Sequence, residues 1–329
     1  AWYKKLENGM KSVKVSIWCI AYNHEKYIRD TLEGFIHQKT KFNFEVIIHD
    51  DASTDGTTNI ISNYKKAYPN IIKPIIQKEN QYSKGVCIFD TFFLPIVRGK
   101  YIAFCEGDDY WCDEYKLQKL VDFLEQNIEY SACTHQSDIL DMFQDDVHLY
   151  SVKEEECDLE MEEIVEYWGR IFHTSSVVCR TSLFKDNKVW RELNKAEYSV
   201  GDFPKALIMR LNGKIHYFPT VMSVYRYGVR GSYSEQVILN NEKQLASLKG
   251  EIKFLEDFDY FTSKKYHEVI EKRKIIQIVK YYVLKNEYSK IEELGYQKLK
   301  VIYGYRKLFK FYLYLHIRWL YNILYQSYD

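Results

Sequence analysis

The chain has 329 residues, 46% of them hydrophobic and 28% charged, which is enough apolar material for a sizeable core and too much charge for a membrane-embedded bundle. Its 46 basic and 46 acidic side chains cancel to a formal net charge of +0, which argues against a protein whose main ligand is nucleic acid.

The first half alternates strand and helix. Val13–Ala21 is a β-branched, apolar run that stops at Tyr22-Asn23-His24. A helical pattern follows from Glu25 to Gln38, with Ile28, Leu32, Phe35 and Ile36 on one face. Phe44–His49 is a second buried strand, ending in Asp50-Asp51-Ala52-Ser53-Thr54-Asp55-Gly56, and a helix through Ile60, Ile61 and Tyr64 comes next. Ile71–Gln77 is a third strand, Phe89–Val97 a helix limited by Pro95, Tyr101–Cys105 a fourth strand, and Leu117–Glu125 another helix. This alternation predicts an α/β fold with a doubly wound sheet flanked by helices. Ligands of such sheets bind beyond the carboxyl ends of the strands, where Tyr22-Asn23, Asp50-Asp51 and Asp108-Asp109 all fall.

Residues 131–234 read as mixed. Asp145–Glu163 is acidic and loop-like, with a helix starting near Leu159. Ser175–Cys179, Ile215–Phe218 and Val221–Tyr225 read as strands, and Asp202–Arg210 as a helix. From Glu235 onward the pattern is helical, which sets a domain boundary near Ser234: a nucleotide-binding and catalytic part over 1–234 and a helical extension over 235–329. The seven cysteines contain no Cys-x-x-Cys pair and several sit in apolar runs. They read as buried free thiols in a reducing compartment. The 30 tyrosines are consistent with a biased genome composition and equally with a sugar site or a membrane surface.

Each polar motif has two readings. Adjacent carboxylates at the end of a strand, Asp108 and Asp109, can hold a divalent cation and a ribose, or can form an ordinary acidic turn. Ser53 or Thr54 can cap the helix after the second strand, with Asp55 at its positive end, but capping leaves Asp50-Asp51 unexplained. Gly201-Asp202 before an apolar run is either a helix cap or the setting of a catalytic carboxylate. Lys84 can meet a phosphate or stand exposed in its loop. His173 can shape a substrate site or be structural, and Trp111 can be a sugar platform or core.

Four segments in register, "VSIWCIAYNHEKYIRDTLEGFIHQ", "FEVIIHDDASTDGT", "GKYIAFCEGDDYW" and "GDFPKALIMRLNGKIHYFPTVMSVYRYGVRGSYS", resemble the inverting family-2 glycosyltransferases of the GT-A fold, which build bacterial capsule, O-antigen and exopolysaccharide chains. The resemblance covers about residues 13–234 and implies a mixed GT-A sheet, a nucleotide-sugar donor with UDP favoured, and a saccharide or lipid-linked acceptor. It also implies Mn²⁺ or Mg²⁺ as cofactor. By position, Tyr22 matches the residue packed on the base, Asp51 the carboxylate that reads the uracil N–H, and Asp108 the ribose-side acid. Asp109 matches the metal ligand and Asp202 the general base. Two departures stand out. Ile20-Ala21-Tyr22-Asn23 replaces the usual Pro-Thr-Tyr-Asn, and no His follows Tyr225-Arg226, where Gly228 and Arg230 stand instead. Arg230 is the candidate for the missing positive charge on the diphosphate.

The end of the chain, "YRKLFKFYLYLHIRWLYNILYQSY", is basic and aromatic. It suits either a membrane-surface helix near a lipid-linked acceptor or a contact with the catalytic domain or a second subunit. No secretion signal is legible and no apolar stretch reaches the roughly 20 residues that span a bilayer, so the expected place is the cytoplasm, peripheral on the inner membrane face. The rivals are a nucleotidyltransferase, which would want a glycine-rich basic loop that Tyr22-Asn23-His24-Glu25 does not offer, and a non-catalytic sugar- or lipid-binding scaffold.

Overall fold

The first strand, β1 (Val13–Ala21), buries Val15, Ile17, Cys19 and Ala21 on one face. Trp18 on the other face packs on Phe93 with 4.7 Å between ring centroids. A strand sealed on both faces is largely apolar, and the polar residue buried within this one, Ser16, donates its hydroxyl to Glu45 Oε1 at 2.7 Å. The computed structural model describes residues 12–295 except 186, 196, 197, 199 and 200, together with residue 299. After β1 come α1 (Ile28–Ile36), β2 (Asn43–Asp50), α2 (Thr57–Ala67) and β3 (Ile72–Ile76). A π-helical turn at Phe89–Phe93 precedes β4 (Tyr101–Phe104), β5 (Tyr110–Trp111) and α3 (Lys116–Gln126). Then follow β6 (Tyr130–Asp141), β7 (Asp146–Leu149), β8 (Cys157–Leu159), α4 (Met161–Glu166) and β9 (Val178–Arg180). The remaining elements are α5 (Lys188–Leu193), α6 (Asp202–Leu211), β10 (Lys214–Tyr227), α7 (Tyr233–Leu239), α8 (Asn241–Phe261), α9 (His267–Leu284) and α10 (Tyr288–Glu293).

Among the described residues the strands form one mixed sheet in the order β3-β2-β1-β4-β9-β6-β10-β5, with β7 beside β6 and β8 beside β10. β3, β2, β1 and β4 are mutually parallel, β9 runs antiparallel to β4 and β6, and β6 and β10 are parallel. The α/β reading therefore holds, and the mixed character enters at β9. α1 lays Ile28, Leu32 and Phe35 on the core that β1, β2 and β4 share, and α3 adds Leu117, Leu120, Val121 and Leu124.

Several boundaries differ from the sequence reading. The expected helix at Phe89–Val97 is only a π-helical turn, and the strand placed at Ser175–Cys179 begins as a 3₁₀ turn, Thr174–Ser176. Ile215–Phe218 and Val221–Tyr225 are one strand, β10, whose register slips between Phe218 and Val221. The acidic stretch carries β7 and β8, and α4 behind them is closed by a capping box between Glu160 and Glu163. All seven cysteines are free, but only Cys19, Cys105, Cys133 and Cys179 are buried. Cys87 and Cys112 are exposed and Cys157 is intermediate, which corrects the expectation of a wholly buried set.

The described residues divide into two compact units, one running to Gln236, the other beginning at Val237 and including Tyr198. In the second, Glu251 on α8 accepts from Arg273 Nε at 2.6 Å and Gln277 Nε2 at 2.9 Å on α9. Lys274, Lys285 and Lys290 meet Glu271, Glu287 and Glu293 of the same unit, so part of the basic character of the tail is spent internally. No helix of the described residues is long and apolar enough to cross a membrane. The basic, aromatic segment at 305–328, on which the membrane and subunit readings rest, lies outside the described residues.

Candidate active site

The carboxyl end of β1 is the anchor of the site. Beyond it the neighbouring loops keep bonding to β1: Asp51 N–H donates to Ala21 O at 2.9 Å, Gly107 N–H to Ile20 O at 2.8 Å, and Cys105 N–H to Trp18 O at 3.1 Å. The loops after β1 and β2 are also laced together. Asn23 N–H donates to Ser53 Oγ at 2.9 Å, and Thr54 N–H donates back to Asn23 Oδ1 at 2.8 Å. Glu25 N–H meets Asp55 Oδ2 and Gly56 N–H meets Glu25 Oε2, both at 3.0 Å. Both turns require left-handed backbone, at Asn23 (φ 57°) and Ala52 (φ 65°). Asn tolerates this conformation and Ala does not, so Ala52 is a place where the fold holds local strain beside the site.

This lacing settles the readings of the second motif. Neither Ser53 nor Thr54 caps α2, whose cap position is Gly56. Asp50 does the local work: Oδ1 accepts Ser53 N–H at 3.0 Å and Oδ2 accepts the Thr58 hydroxyl. Asp55 Oδ1 accepts Thr57 N–H at 2.9 Å. Asp51 is left for something else. It is buried, and its two oxygens take the backbone N–H groups of Gln81 (2.7 Å) and Tyr82 (3.0 Å), with His49 Nε2 at 3.3 Å. The loop after β3 is thus fastened to Asp51. Tyr22, 39% exposed, stands beside this loop system at the strand end.

Asp108 and Asp109 lie in the turn between β4 and β5, almost fully buried. Asp109 Oδ1 accepts Arg226 N–H at 3.0 Å, while its Oδ2 has no hydrogen-bond partner and Asp108 Oδ1 has none either. Two imidazoles flank the pair without bonding to it: His24 Nε2 is 3.8 Å from Asp108 Oδ2, and His173 Nδ1 is 3.8 Å from Asp109 Oδ2. Burial, then the charges of Asp108 and Glu106, push the Asp109 carboxyl well above the usual carboxylate range, against the pull of Arg226. Leaving such oxygens buried and unpaired costs several kcal/mol, more than an acidic turn has reason to carry. Among the described residues no three His, Cys, Asp or Glu side chains form a ready cage for a metal. A cation of the Mg²⁺ or Mn²⁺ kind does not need one, because it commonly takes one or two carboxylates and completes its shell with phosphate and water. The orphaned oxygens fit that donor set.

Arg226, which the sequence reading passed over, builds this turn. It is buried, with its guanidinium between the rings of Tyr110 (4.5 Å) and Tyr27 (5.2 Å). Nη1 donates to Asp108 O at 2.8 Å and Nη2 to Asp30. Its sequence signal was only its place next to Tyr225 at the end of a strand. From α1, the Thr31 hydroxyl reaches Asp109 O at 2.6 Å and Gly107 O at 3.0 Å. Arg230 is exposed in the turn after β10, and Lys84 is exposed and paired with Glu79. Trp111 is core rather than platform: it is buried edge-on to Phe35 at 4.7 Å, and its Nε1–H donates to Ser175 O at 3.0 Å.

Asp202 is the first residue of α6, and the cap position is Gly201, so the cap reading of Asp202 does not hold. Its Oδ2 accepts the Thr174 hydroxyl at 2.8 Å and its Oδ1 pairs with Lys205 Nζ at 3.1 Å. Burial raises its pKa, but Lys205, Thr174 and His173 together bring it below the usual carboxylate value, which keeps it ionised. His173 stacks on Tyr225 at 4.1 Å, and its Nδ1 accepts Ser175 N–H at 3.2 Å. Burial first, and Lys116 with it, pushes this imidazole down to about 4 although Asp202 opposes, so it is neutral near pH 7.

The profile of "Glycosyl transferase family 2" matches residues 16–231. An uncharacterized protein of Mycobacterium tuberculosis is 47% identical over 121 residues, 37% of this chain and 34% of that protein, so the match spans about a third of the relative's length. The UDP-Glc:alpha-D-GlcNAc-diphosphoundecaprenol beta-1,3-glucosyltransferase WfaP of Escherichia coli is 40% identical over 111 residues, 34% of this chain and 41% of that protein. Among solved structures, S. aureus TarS 1-349 in complex with UDP-GlcNAc superposes with a TM-score of 0.55 at 17% identity, covering 84% of this chain and 92% of that one. The mannosyltransferase PcManGT of Pyrobaculum calidifontis, in complex with GDP-Man and Mn2+, gives 0.54 at 13% identity over 92% and 89%. The structural likenesses show the GT-A fold. With the family profile covering well over half its length, the chain belongs to glycosyl transferase family 2.

Proposed function

We propose that this glycosyltransferase moves a sugar from a UDP-sugar onto a hydroxyl of a growing, lipid-linked saccharide, with inversion, in bacterial surface-polysaccharide synthesis. The observation that carries the reading is that one turn joins the two halves of the chemistry: Thr174 holds Asp202, and the adjacent His173 faces Asp109. A donor-side acid pair and an acceptor-side carboxylate on one rigid support are what displacement at an anomeric carbon needs. The donor class is supported by relatives and neighbours named for UDP-Glc, UDP-GlcNAc and GDP-Man, and the lipid-linked acceptor by the diphosphoundecaprenol in the name of WfaP.

In this reading Tyr22 packs on the base and Asp51, which has acceptor capacity beyond the two loop N–H groups, takes the N–H of the uracil. Asp108 faces the ribose, and Asp109 holds Mn²⁺ or Mg²⁺ against the donor. The cation supplies neutralisation of the charge on the departing diphosphate. Asp202 takes the proton of the acceptor hydroxyl as its oxygen bonds to the anomeric carbon and the bond to the diphosphate breaks on the opposite face. Arg230 adds positive charge at the diphosphate. Lys84 is given the same role and has to leave Glu79 to perform it. Residues 1–234 are the catalytic domain, and 235–329 an extension that meets the inner membrane face or a second subunit. A scaffold without catalysis has no use for two buried carboxylates with orphaned oxygens.

The test is release of nucleoside diphosphate from a panel of nucleotide sugars with Mn²⁺ or Mg²⁺, using the parent protein and Asp109→Ala. Slow turnover of one UDP-sugar, abolished by the substitution, is the expected result. No binding and no turnover of any nucleotide sugar with either metal would remove the proposal.

A further inference from the structure

The support beneath Asp202 is built more heavily than a loop requires. Asp202 is on the first turn of α6, with 39% of its side chain exposed. Lys205, three residues on, moves with the same helix, so it cannot locate the carboxylate relative to the sheet. Thr174 can, because it lies 28 residues away in the turn before β9. That turn is itself clamped. The Ser175 carbonyl accepts two donors, Trp111 Nε1–H at 3.0 Å and the ammonium of Lys116. Ser175 Oγ continues to Ser223 Oγ and on to Ser137 Oγ, each at 2.9 Å, and Ser176 Oγ meets Thr134 Oγ1.

Lys116 is the unusual member. It is wholly buried, its Nζ lies 3.9 Å from the Trp111 ring centroid, and among the described residues no carboxylate pairs with it. Burial pushes its amine down to about 7, because the charged form with only a carbonyl and a ring face as partners is expensive to bury, so a fold concerned with stability alone would place an apolar residue there. Trp111 follows Asp109 by two residues, so the chain Asp109–Trp111–Ser175–Thr174–Asp202 links donor side to acceptor side.

Resting on the assignment of Asp202 as base, we propose that Thr174 and Lys116 are positioning residues for transfer: Thr174 fixes the Asp202 carboxylate, and Lys116, through the Ser175 carbonyl, holds the turn that carries Thr174. Thr174 occupies Oδ2 and Lys205 occupies Oδ1, which fixes the carboxylate plane and leaves the remaining lone pairs for the acceptor hydroxyl. A base with a fixed plane meets its proton in reach, and one free to rotate does so only part of the time.

The experiment compares Thr174→Val, Thr174→Ser, Lys116→Met, the double variant Thr174→Val/Lys116→Met and Asp202→Asn for transfer, with UDP release in the absence of acceptor and melting temperature measured alongside. Thr174→Val is expected to lower kcat for transfer roughly tenfold with donor KM unchanged, and Thr174→Ser is expected to restore it. Lys116→Met is expected to fold at least as stably as the parent and to lose kcat in the same way. The double variant is expected to be no worse than Thr174→Val alone, because both act through one turn. Unchanged kcat in Thr174→Val, failure of Ser to restore it, or additive losses would overturn the positioning claim. If Asp202→Asn itself transfers at the parent rate, it is the assignment of the base that falls.

Discussion

At the scale of single residues, the acid pair is where function and stability pull apart. Asp109 is buried, bonded on one oxygen and orphaned on the other, and pushed well above its ordinary pKa by burial and by Asp108 and Glu106. An amide in its place keeps the acceptor for Arg226 N–H and removes the charge. Asp109→Asn is therefore expected to melt about 2–4 °C higher than the cation-free parent while losing transfer and the stabilisation that Mn²⁺ with UDP gives the parent. An apo variant that melts lower than the parent would mean that Asp109 is structural. Ala52 offers a second test. Its φ of 65° costs about 1 kcal/mol that glycine would not pay. Ala52→Gly is expected to raise stability in urea titration by that order with the midpoint moving and the slope constant.

At the scale of elements, the loops beyond β1, β2 and β4 are positioned by bonds that cross between them, and α1 is part of the same assembly. The Thr31 hydroxyl bonds to two carbonyls of the acid turn. Valine keeps the shape and leaves those groups short of a donor, so Thr31→Val is expected to cost about 1–3 kcal/mol and to weaken donor binding. Thermal melts and calorimetry with UDP and Mn²⁺ check both, and an unchanged donor affinity would show the turn to be held without α1. The elements legible in the sequence were those whose burial is apolar and contiguous. β1, β2 and β4 end in polar residues that stand out against Val, Ile and Phe, so Tyr22, Asp51, Asp108 and Asp109 could be found. β6 could not, because its buried residues include the polar run Thr134, His135, Gln136 and Ser137. Thr134, Gln136 and Ser137 are satisfied by Ser176, Ser151 and Ser223 from elsewhere in the chain, which no local pattern reveals. Arg226 was invisible for the same reason: its partners, Asp30, Asp108 and two tyrosines, come from two distant segments.

At the scale of the whole molecule, buried ionisable groups set how stability depends on pH. Burial depresses His173 to about 4 from 6.5, and His135 falls well below 6.5 for the same reason. Between those values the unfolded chain binds protons that the folded one does not, so this stability is fully present above pH 6.5 and is lost as pH falls toward 4. Melting temperature is expected to drop on acidification from about pH 7.5 to about pH 5, and to drop less in His173→Asn. A parent curve flat over that interval would mean that these imidazoles are solvated. Raised Asp109 acts with the opposite sign: it favours the cation-free folded state below its own pKa, and that contribution fades as pH rises through it. Bound cation offsets the loss. The division near Gln236 leaves all the candidate site residues named above in the first unit.

The central claim is that one site binds a nucleotide sugar through Asp109 and activates an acceptor through Asp202. The measurement that tests it most directly is made on Asp202→Asn: calorimetric binding of the UDP-sugar with Mn²⁺, and transfer to acceptor by the same preparation. The account predicts donor affinity within about twofold of the parent, with transfer lower by a factor on the order of 10² or more. Transfer at the parent rate, or loss of donor binding together with transfer, would contradict it.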